Sequence, residues 1–382
     1  MSFLYPLILS LLIAPLGPSF SSDHWPTEAW RTRSLSEAGI DEAKFARFLD
    51  YVFLKGKFET PQDCEAASQK KDKDFQTNAL VIIKDSCLIY EKYVCGYTPN
   101  HKQFLLSISK SIMATLAGIA QFENRFHVTR PISSYVEVPQ KEIWEKMKVD
   151  DLIRMSSGIK WDEIHQKKLH KNSLVHFLYG KGAKNIISYL FKSPPAEASG
   201  NLFRYSTGDS TLLTHALNQA LGGEKALLQF SHDKLFAPLG IEEFTMERGP
   251  SGHFYGGSHI YLKPRDLAKI GLLARHRGLW GNKRLYAQDW HDYFTSVAPA
   301  WKKSNPEKLP VYGAQWWLNL ETEGKRRPHP ALPQDAFLAK GLFGQILAVV
   351  PSLDLVVVRN AFDTKKEIDA NKMWELLMES LQ

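Results

Sequence analysis

Hydrophobic positions follow a helical spacing near the start of the chain and a strand spacing directly after it. Between Asp41 and Gly56 the apolar side chains recur every three or four residues on one helical face, at Phe45, Phe48, Leu49 and Val52. Asp41 is a suitable N-cap for this helix, and Gly56 is a suitable residue to end it. Two β-rich runs then flank Asp85 and Ser86, a pair that predicts a tight hairpin.

The middle of the chain has mostly helical patterns, and strand patterns return towards its end. From about Ser109 to Ala300, helical spacing is interrupted only by turn-forming stretches. The later stretches "YGAQWWLNL", "QILAVV" and "LDLVVVRNAF" have strand character, with a turn at Pro351 and Ser352. The closing segment predicts a helix whose apolar residues lie on or near one side, at Ile368, Met373, Leu376, Leu377 and Leu381.

Strands at both ends with helices between them predict an α/β (α+β) fold, in which one sheet is built from the two ends of the chain. We expect residues 22–105 and 301–382 to form the sheet subdomain and residues 106–300 to form an inserted, mostly helical subdomain. Together these would make one catalytic domain, because 382 residues with 44% hydrophobic residues can bury a large core.

The charge pattern indicates a solvated basic surface. Lys and Arg number 48 against 41 Asp and Glu, which gives a formal charge of +7, but the basic residues are scattered. The densest clusters, "SQKKDKD" and "GKRR", include or adjoin acidic residues. We therefore expect no nucleic-acid partner.

The first residues resemble a secretory signal. An apolar block from Leu4 to Leu16, too short to span a bilayer, is followed by small residues, which fits a signal peptide over residues 1–21 with cleavage after Ser21. An uncleaved anchor and a buried helix are the alternatives. The leading expectation is a secreted or periplasmic protein, with no membrane contact beyond this segment.

The three cysteines, Cys64, Cys87 and Cys95, contain no C-x-x-C pair, so a structural zinc site is not expected. Cys87 and Cys95 would be too far apart to pair if they lie on one extended strand. Cys64 could pair with either of them, or all three could be free thiols.

The stretch "SISKSIM" places Lys110 three residues after Ser107 at the start of a long apolar helix. Residues three apart share a helix face, so the amine would lie beside the hydroxyl. Burial lowers the pKa of a lysine, which suits a general base, and a helix start leaves the Ser107 N–H free to bind an oxyanion. The alternative is a helix-start serine with a lysine that extends to solvent.

Two further stretches could complete such a site. "FRYSTGDSTLL" offers Tyr205, whose phenol could relay the serine proton, although a lone tyrosine is more often a packing residue. Gly208 or Asp209 would cap the helix that follows. In "FLAKGLFGQILAVV", glycines within a strand suit a close approach by substrate or backbone, or a bulge. An edge strand there could present the Leu342 N–H as a second oxyanion donor.

These three stretches, in this order, resemble the serine β-lactamase and penicillin-binding protein superfamily. The nearest similarity is to its class C-related branch, which includes esterases, D-amino-acid peptidases and 6-aminohexanoate-dimer hydrolases. "SISKS" resembles the S-x-x-K motif, "YST" the Y-x-N motif, and "KGLFG" stands where the family has K-T-G or H-x-G. The resemblance extends from about Asn78 to the C-terminal helix, through "DDLIRMSSGIKWDE", "KLFAPLGI", "GGSHIYLKPRDLAKIGLLARHRGLW", "YGAQWWL" and "GQILAVVPSLDLVVVR".

The resemblance implies an antiparallel sheet with helices on both faces and a helical subdomain. It also implies that Ser107 is the nucleophile, Lys110 the base and Tyr205 a second proton carrier. We expect no metal or other cofactor. The implied substrate-binding positions are Thr207, Lys340, Gly341, Gly344 and Trp161. Other aromatic residues that could line the pocket are Tyr261, Trp316 and Trp317.

Two departures from the family pattern concern substrate contacts. Thr207 replaces the asparagine of Y-x-N, and Gly341 follows Lys340 without the threonine of K-T-G. We therefore expect a serine hydrolase that acts on a small ester or amide, with weak or no β-lactamase activity. A non-catalytic ligand-binding or sensor protein is the main alternative. A Ser-His-Asp hydrolase is a weaker one, because no G-x-S-x-G motif is present.

Overall fold

A computed structural model describes residues 25–69, 74–163, 171–304, 311–321 and 326–381 of the protein. The strands are β1 (Thr77–Lys84), β2 (Cys87–Tyr93), β3 (Gln103–Phe104), β4 (Thr245–Met246), β5 (Ile260–Leu262), β6 (Leu279–Trp280), β7 (Lys283–Arg284), β8 (Trp317–Leu318), β9 (Phe337–Gly341), β10 (Gln345–Val350) and β11 (Leu355–Ala361). The helices are α1 (Glu42–Val52), α2 (Pro61–Gln69), α3 (Ile108–Phe122), α4 (Lys141–Trp144), α5 (Val149–Ile153), α6 (Ser173–Tyr179), α7 (Ile186–Phe191), α8 (Thr207–Leu221), α9 (Glu224–Ser231), α10 (Pro264–Arg275), α11 (Gln288–Thr295), α12 (Pro299–Ser304) and α13 (Ala370–Ser380).

The main sheet has six strands in the order β2-β1-β11-β10-β9-β8, and all neighbours are antiparallel. β1 pairs with β11 inside this sheet, so the early and late parts of the chain meet in one sheet as the sequence predicts. Asp85 and Ser86 connect β1 to β2 with φ of 52° and 59°. These left-handed values match the twist that two-residue hairpin turns require. The predicted fold class is confirmed.

Helices cover both faces of this sheet. α1 and α13 pack on one face, with Phe45, Leu80 and Trp374 in a shared apolar core. α3 and α10 pack on the other face, where Val81 and Val356 belong to the larger core. Because side chains alternate along a strand, neighbouring residues contact different helices. On β9, Leu338 faces α13 and Ala339 faces α3.

The first predicted helix is present with the predicted apolar face. Asp41 caps it by accepting a hydrogen bond from the Lys44 backbone N–H at 3.0 Å. The helix ends at Val52, earlier than the sequence suggested, and a short 3₁₀ turn then leads to Gly56.

Of the cysteine pairings that the sequence left open, the structure has the Cys64–Cys95 disulfide, and Cys87 is a buried free thiol. The predicted signal peptide lies outside the described residues. Within the described ranges, no helix has both the length and the apolar character needed to cross a bilayer.

Candidate active site

Ser107 is held at the junction between a small sheet and a buried helix. β3 pairs with β5 and delivers the chain to α3, for which Ser107 is the N-cap. Leu106, directly before it, has φ of 50°, a left-handed conformation that costs a non-glycine residue about 1–3 kcal/mol. The Ser109 hydroxyl accepts a hydrogen bond from the Ile260 N–H at 3.1 Å and so fixes the helix start against β5. The Ser107 side chain is half-buried.

Lys110 is buried on the same turn, with 1% of its surface exposed. Its Nζ lies 2.9 Å from Ser107 Oγ, 3.0 Å from Thr207 Oγ1 and 2.7 Å from the Gly257 carbonyl oxygen. Burial lowers the pKa of Lys110 to about 8, against an opposing influence from the Glu163 charge. A substantial fraction of this amine is therefore neutral near pH 8.

Tyr205 completes the group of three residues. Lys110 Nζ lies 5.1 Å from the centre of the phenol ring, and the Ser107 side chain is near enough to lower the pKa of the phenol. The ring stacks on Trp317 with centroids 5.5 Å apart. Burial, reinforced by the Glu163 charge, raises the pKa of Tyr205, so its hydroxyl keeps its proton near neutral pH. The structure thus brings Ser107, Lys110 and Tyr205 together.

Glu163 is a neighbour of this group that the sequence did not reveal. Its carboxylate accepts hydrogen bonds from the Thr207 N–H at 2.9 Å and the Thr207 hydroxyl at 3.3 Å, and from Trp161 Nε1 at 2.6 Å. Thr207 therefore connects Glu163 to Lys110. In "KWDE" no spacing distinguishes this carboxylate from a surface acid. Only its contact with Thr207, at the start of α8, identifies Glu163 as part of the site.

The start of α8 differs from the sequence prediction. Ser206, rather than Gly208 or Asp209, is the N-cap, and its hydroxyl accepts a hydrogen bond from the Asp209 N–H at 2.9 Å. The Asp209 carboxylate accepts a hydrogen bond from the Ser157 hydroxyl at 2.7 Å. Burial raises the pKa of Asp209 to about 7, partly offset by these serine contacts. Asp209 thus links α8 to the "MSSG" loop.

The predicted strand "FLAKGLFGQILAVV" is two strands, β9 and β10, joined by a turn at Leu342–Gly344. β9 is an edge strand only in its last residues, because β8 pairs with Phe337 and Leu338. A Cβ atom on Gly341 would lie 2.6 Å from the Leu105 carbonyl oxygen. The close backbone approach expected at Gly341 is present, and it places the start of the turn beside the segment that leads to Ser107.

Lys340 and Gly344 have contacts other than those expected for substrate-binding residues. By strand alternation Lys340 faces α13, and its Nζ lies 2.9 Å from His329 Nε2. Gly344 has φ of 79° and packs against the buried Arg359–Asp363 ion pair, where a Cβ atom would collide with both side chains. Lys340 Nζ also lies 5.9 Å from the centre of the Trp317 ring, which stacks on Tyr205. The substrate-binding roles of Lys340 and Gly344 stay predictions.

The aromatic residues separate into cavity and core positions. Trp161 and Tyr205 line a cavity of about 610 Å³. Trp316 is fully buried against Phe294, whereas Trp317 stacks on Tyr205. The described residues contain no cluster of three or more His, Cys, Asp or Glu side chains that could bind a metal.

Comparison with known proteins agrees with this arrangement. Residues 63–381 match the family model described as Beta-lactamase. The chain belongs to the beta-lactamase family. The 6-aminohexanoate-dimer hydrolase of Paenarthrobacter ureafaciens is 21% identical over 304 residues, which cover 74% of this chain and 72% of that protein. The family and the hydrolase relative together identify the chain as a hydrolase.

Solved structures of other proteins share the fold. A Bacillus anthracis protein provisionally named a 6-aminohexanoate-dimer hydrolase has a TM-score of 0.67 at 16% identity, over 88% of this chain and 93% of that one. EstCE1, described as a hydrolase with promiscuous acyltransferase activity, has a TM-score of 0.61 at 12% identity, over 89% of this chain and 99% of that one. At these identities the similarity establishes the fold.

Proposed function

We propose that the protein is a serine hydrolase that cleaves small esters or amides through an acyl-enzyme on Ser107. The observation that carries the proposal is the hydrogen bonding around Lys110 Nζ. The Gly257 carbonyl can only accept a hydrogen bond, and the Thr207 hydroxyl directs its own proton to Glu163. A neutral Lys110 amine would therefore donate its two protons to these oxygens. Its lone pair then points to Ser107 Oγ.

In the proposed reaction, Lys110 takes the proton of Ser107 Oγ as that oxygen bonds to the substrate carbonyl carbon. The N–H groups of Ser107 and Leu342 would hold the oxyanion. The bond to the leaving group then breaks, and the protonated Tyr205 phenol donates to that group while it regains a proton from Lys110. Water attacks the acyl-enzyme by the same route and restores the Ser107 hydroxyl.

An ester or amide substrate, rather than a β-lactam, is supported by the residues that face Ser107. β9 presents Ala339 and Gly341 on the α3 side, while the ammonium of Lys340 is turned towards α13. Thr207 is occupied by Lys110 and Glu163. The positions that hold the amide and carboxylate of a β-lactam in the superfamily therefore lack a free cation and a free amide. The similarity to a dimer hydrolase supports the same choice.

A substrate panel tests this choice. We expect p-nitrophenyl acetate to be hydrolysed, together with some D-amino-acid amides. For nitrocefin we expect kcat/KM to be at least about 100-fold lower than for the ester, the scale of two missing polar contacts. Initial rates by absorbance give both constants. Rapid nitrocefin turnover would contradict the interpretation of Thr207 and Lys340.

Glu163→Gln tests how the site sets the pKa of its base. Both Lys110 Nζ and the Glu163 carboxylate contact Thr207 Oγ1, at 3.0 and 3.3 Å, so they lie within about 6 Å of each other. The carboxylate raises the pKa of Lys110, so its loss lowers that pKa further below the ordinary value. Because Lys110 must be neutral to accept a proton, the rising limb of kcat/KM against pH shifts to lower pH.

Asp162→Asn is the matched control for Glu163→Gln, since it removes the same charge from the adjacent residue. The Glu163 carboxylate, and not that of Asp162, acts on the pKa of Lys110. The rising limb of kcat/KM against pH for Asp162→Asn should therefore coincide with that of the unmodified protein. If the rising limb for Glu163→Gln stayed in place or moved to higher pH, that result would contradict the assignment of Lys110 as the base.

We also propose that the protein works outside the reducing cytosol. The Cys64–Cys95 disulfide supports this, because such bonds persist mainly in oxidising compartments. The apolar segment from Leu4 to Leu16 fits the same location.

A further inference from the structure

The backbone on both sides of Tyr205 is bound by a single residue, Met155. Its carbonyl oxygen accepts a hydrogen bond from the Arg204 N–H at 2.8 Å, and its thioether sulfur accepts one from the Ser206 N–H at 3.3 Å. Met155 is fully buried, and hydrogen bonds in such surroundings are electrostatically stronger than in water. We call residues 155–158, which begin with Met155, the MSSG loop.

Met155 has features that core packing alone does not explain. Its φ is 60°, a left-handed conformation that is unfavourable for a residue with a Cβ atom and that persists only where the surroundings enforce it. Its sulfur is a weak acceptor, yet it accepts the N–H of Ser206, which is the N-cap of α8. In this conformation the carbonyl and the side chain of Met155 both meet residues 204–206. Strained backbone of this kind clusters at functional sites.

A second attachment fixes the MSSG loop to α8. The Ser157 hydroxyl donates a hydrogen bond to Asp209 Oδ1 at 2.7 Å, and the Ser157 N–H donates to Oδ2 at 3.3 Å. The Asp209 N–H in turn donates to the Ser206 hydroxyl at 2.9 Å. Ser157, Ser206 and Asp209 are all buried. The loop therefore holds the chain directly before Tyr205, directly after it and again at Asp209.

The contacts of the Tyr205 ring leave the reach of its hydroxyl to the backbone. Trp317 stacks on the ring with centroids 5.5 Å apart, and Tyr312 meets it at right angles with centroids 5.9 Å apart. Such contacts restrict the tilt of a ring but tolerate sliding, since offset rings attract each other at centroid distances of about 4.5–7 Å. Proton transfer is stricter, because it needs a heavy-atom distance of about 2.6–3.2 Å. The position of the hydroxyl thus depends on where residues 204–206 are held.

We propose that Met155 is a positioning residue for Tyr205 and that the Ser157–Asp209 pair anchors the loop that carries it. The carbonyl and the sulfur of Met155 hold the backbone on each side of the tyrosine. They thereby set the distance over which the phenol donates its proton. This rests on the proposed function, in which Tyr205 protonates the leaving group. Met155 acts through Tyr205 rather than on the substrate.

Two acetate esters that differ only in the leaving group test the role of Met155. Ethoxide must be protonated as it leaves, whereas p-nitrophenolate leaves without a proton, and both esters give the same acetyl-enzyme. Met155→Leu removes the sulfur acceptor at nearly constant volume. We expect kcat/KM for ethyl acetate to fall about tenfold or more, part of the roughly 10²–10⁴-fold that a well-placed general acid contributes. kcat/KM for p-nitrophenyl acetate should stay within about twofold.

Tyr205→Phe separates positioning from a general loss of structure. It should lower the ethyl-to-p-nitrophenyl ratio of kcat/KM more than Met155→Leu does, because it removes the proton donor itself. In the Tyr205→Phe background, Met155→Leu should lower this ratio no further, since the residue through which it acts is gone. A fall of the same size in both backgrounds would overturn the proposal. So would an equal loss of kcat/KM for both esters, or a ratio that Met155→Leu leaves unchanged.

Met147→Leu is the matched control, since it makes the same exchange at another fully buried methionine. The carbonyl of Met147 binds the Ile132 N–H at 2.8 Å rather than the segment around Tyr205. This variant should keep the ester ratio of the unmodified protein. Ser157→Ala weakens the second attachment and should lower the ratio about threefold or more. If Met155→Leu does not fold, Ser157→Ala decides by the same criteria.

Failure of the proposed function gives a different result, namely no turnover of either ester by the unmodified protein. NMR of protein with isotope-labelled tyrosine then decides on Met155 alone, because Tyr205→Phe identifies the Tyr205 ring signal by its loss. We expect that signal to shift in Met155→Leu and to keep its position in Met147→Leu. An unshifted signal in Met155→Leu, or an equal shift in both variants, overturns the proposal.

Discussion

Ser107→Ala is expected to lower kcat/KM for small esters by at least about 10⁴-fold, the scale at which loss of a covalent nucleophile leaves only residual catalysis. The Ser107 residue is half-buried and its hydroxyl lies 2.9 Å from Lys110 Nζ, whereas Ser109 and Ser111 in the same stretch are fully buried. The measurement is steady-state hydrolysis of p-nitrophenyl acetate, with the thermal midpoint as a check on folding.

Ser231→Ala is the matched control, because Ser231 also has a lysine three residues later. Its hydroxyl donates to the Leu227 carbonyl, and Lys234 pairs with Glu123 at 2.6 Å. This variant should hydrolyse the ester at the rate of the unmodified protein. If Ser107→Ala retained most of the activity, the nucleophile would have to lie elsewhere.

Lys110→Met is expected to lower kcat/KM by at least about 10³-fold, because it removes the group that accepts the Ser107 proton. The variant should lose about 1–3 kcal/mol of stability, because the Gly257 carbonyl loses its buried hydrogen-bond donor, and should still fold. Lys110→Arg tests whether Lys110 acts as a base or only supplies a positive charge. It keeps the charge but has no lone pair at any accessible pH, so it should not rescue activity.

Lys269→Met is the control for the loss of a buried lysine. Lys269 lies on α10, where its Nζ bonds to the Gly240 carbonyl at 2.9 Å and pairs with Asp266 at 3.4 Å. We expect this variant to be less stable, because Asp266 loses its partner, yet to keep its activity per folded molecule. Substantial ester hydrolysis by Lys110→Met or Lys110→Arg would refute the role of Lys110 as the base.

The sequence identified the centre of the site because apolar residues almost completely surround Lys110 on α3. A lysine in such a stretch must be buried, and its spacing from Ser107 determines the neighbour that it meets. The sheet was predictable for a related reason, since strand patterns occur at both ends of the chain and a helical region lies between them. These features depend on local periodicity, which a single sequence displays directly.

Positions that depend on strand parity or on contacts between loops were not predictable. Lys340 was assigned to the site because "KGLFG" stands where the superfamily has K-T-G. The sequence did not reveal that its Nζ lies beside His329, because one residue of register moves a side chain to the other face of a sheet. Gly341 and Gly344 look alike in sequence, although one approaches the Leu105 backbone and the other an ion pair. Glu163 joins the site only through tertiary contact with α8, and the left-handed Leu106 has no sequence signature.

The central claim is that Ser107 becomes acylated with Lys110 as its base. The most direct measurement is peptide mass spectrometry after reaction with a fluorophosphonate probe over a range of pH. We predict one adduct, on Ser107, with a labelling rate that rises with pH around a midpoint near the pKa of about 8 that burial gives Lys110. An adduct on another serine, or ester turnover by a protein whose Ser107 stays unmodified, would contradict the account.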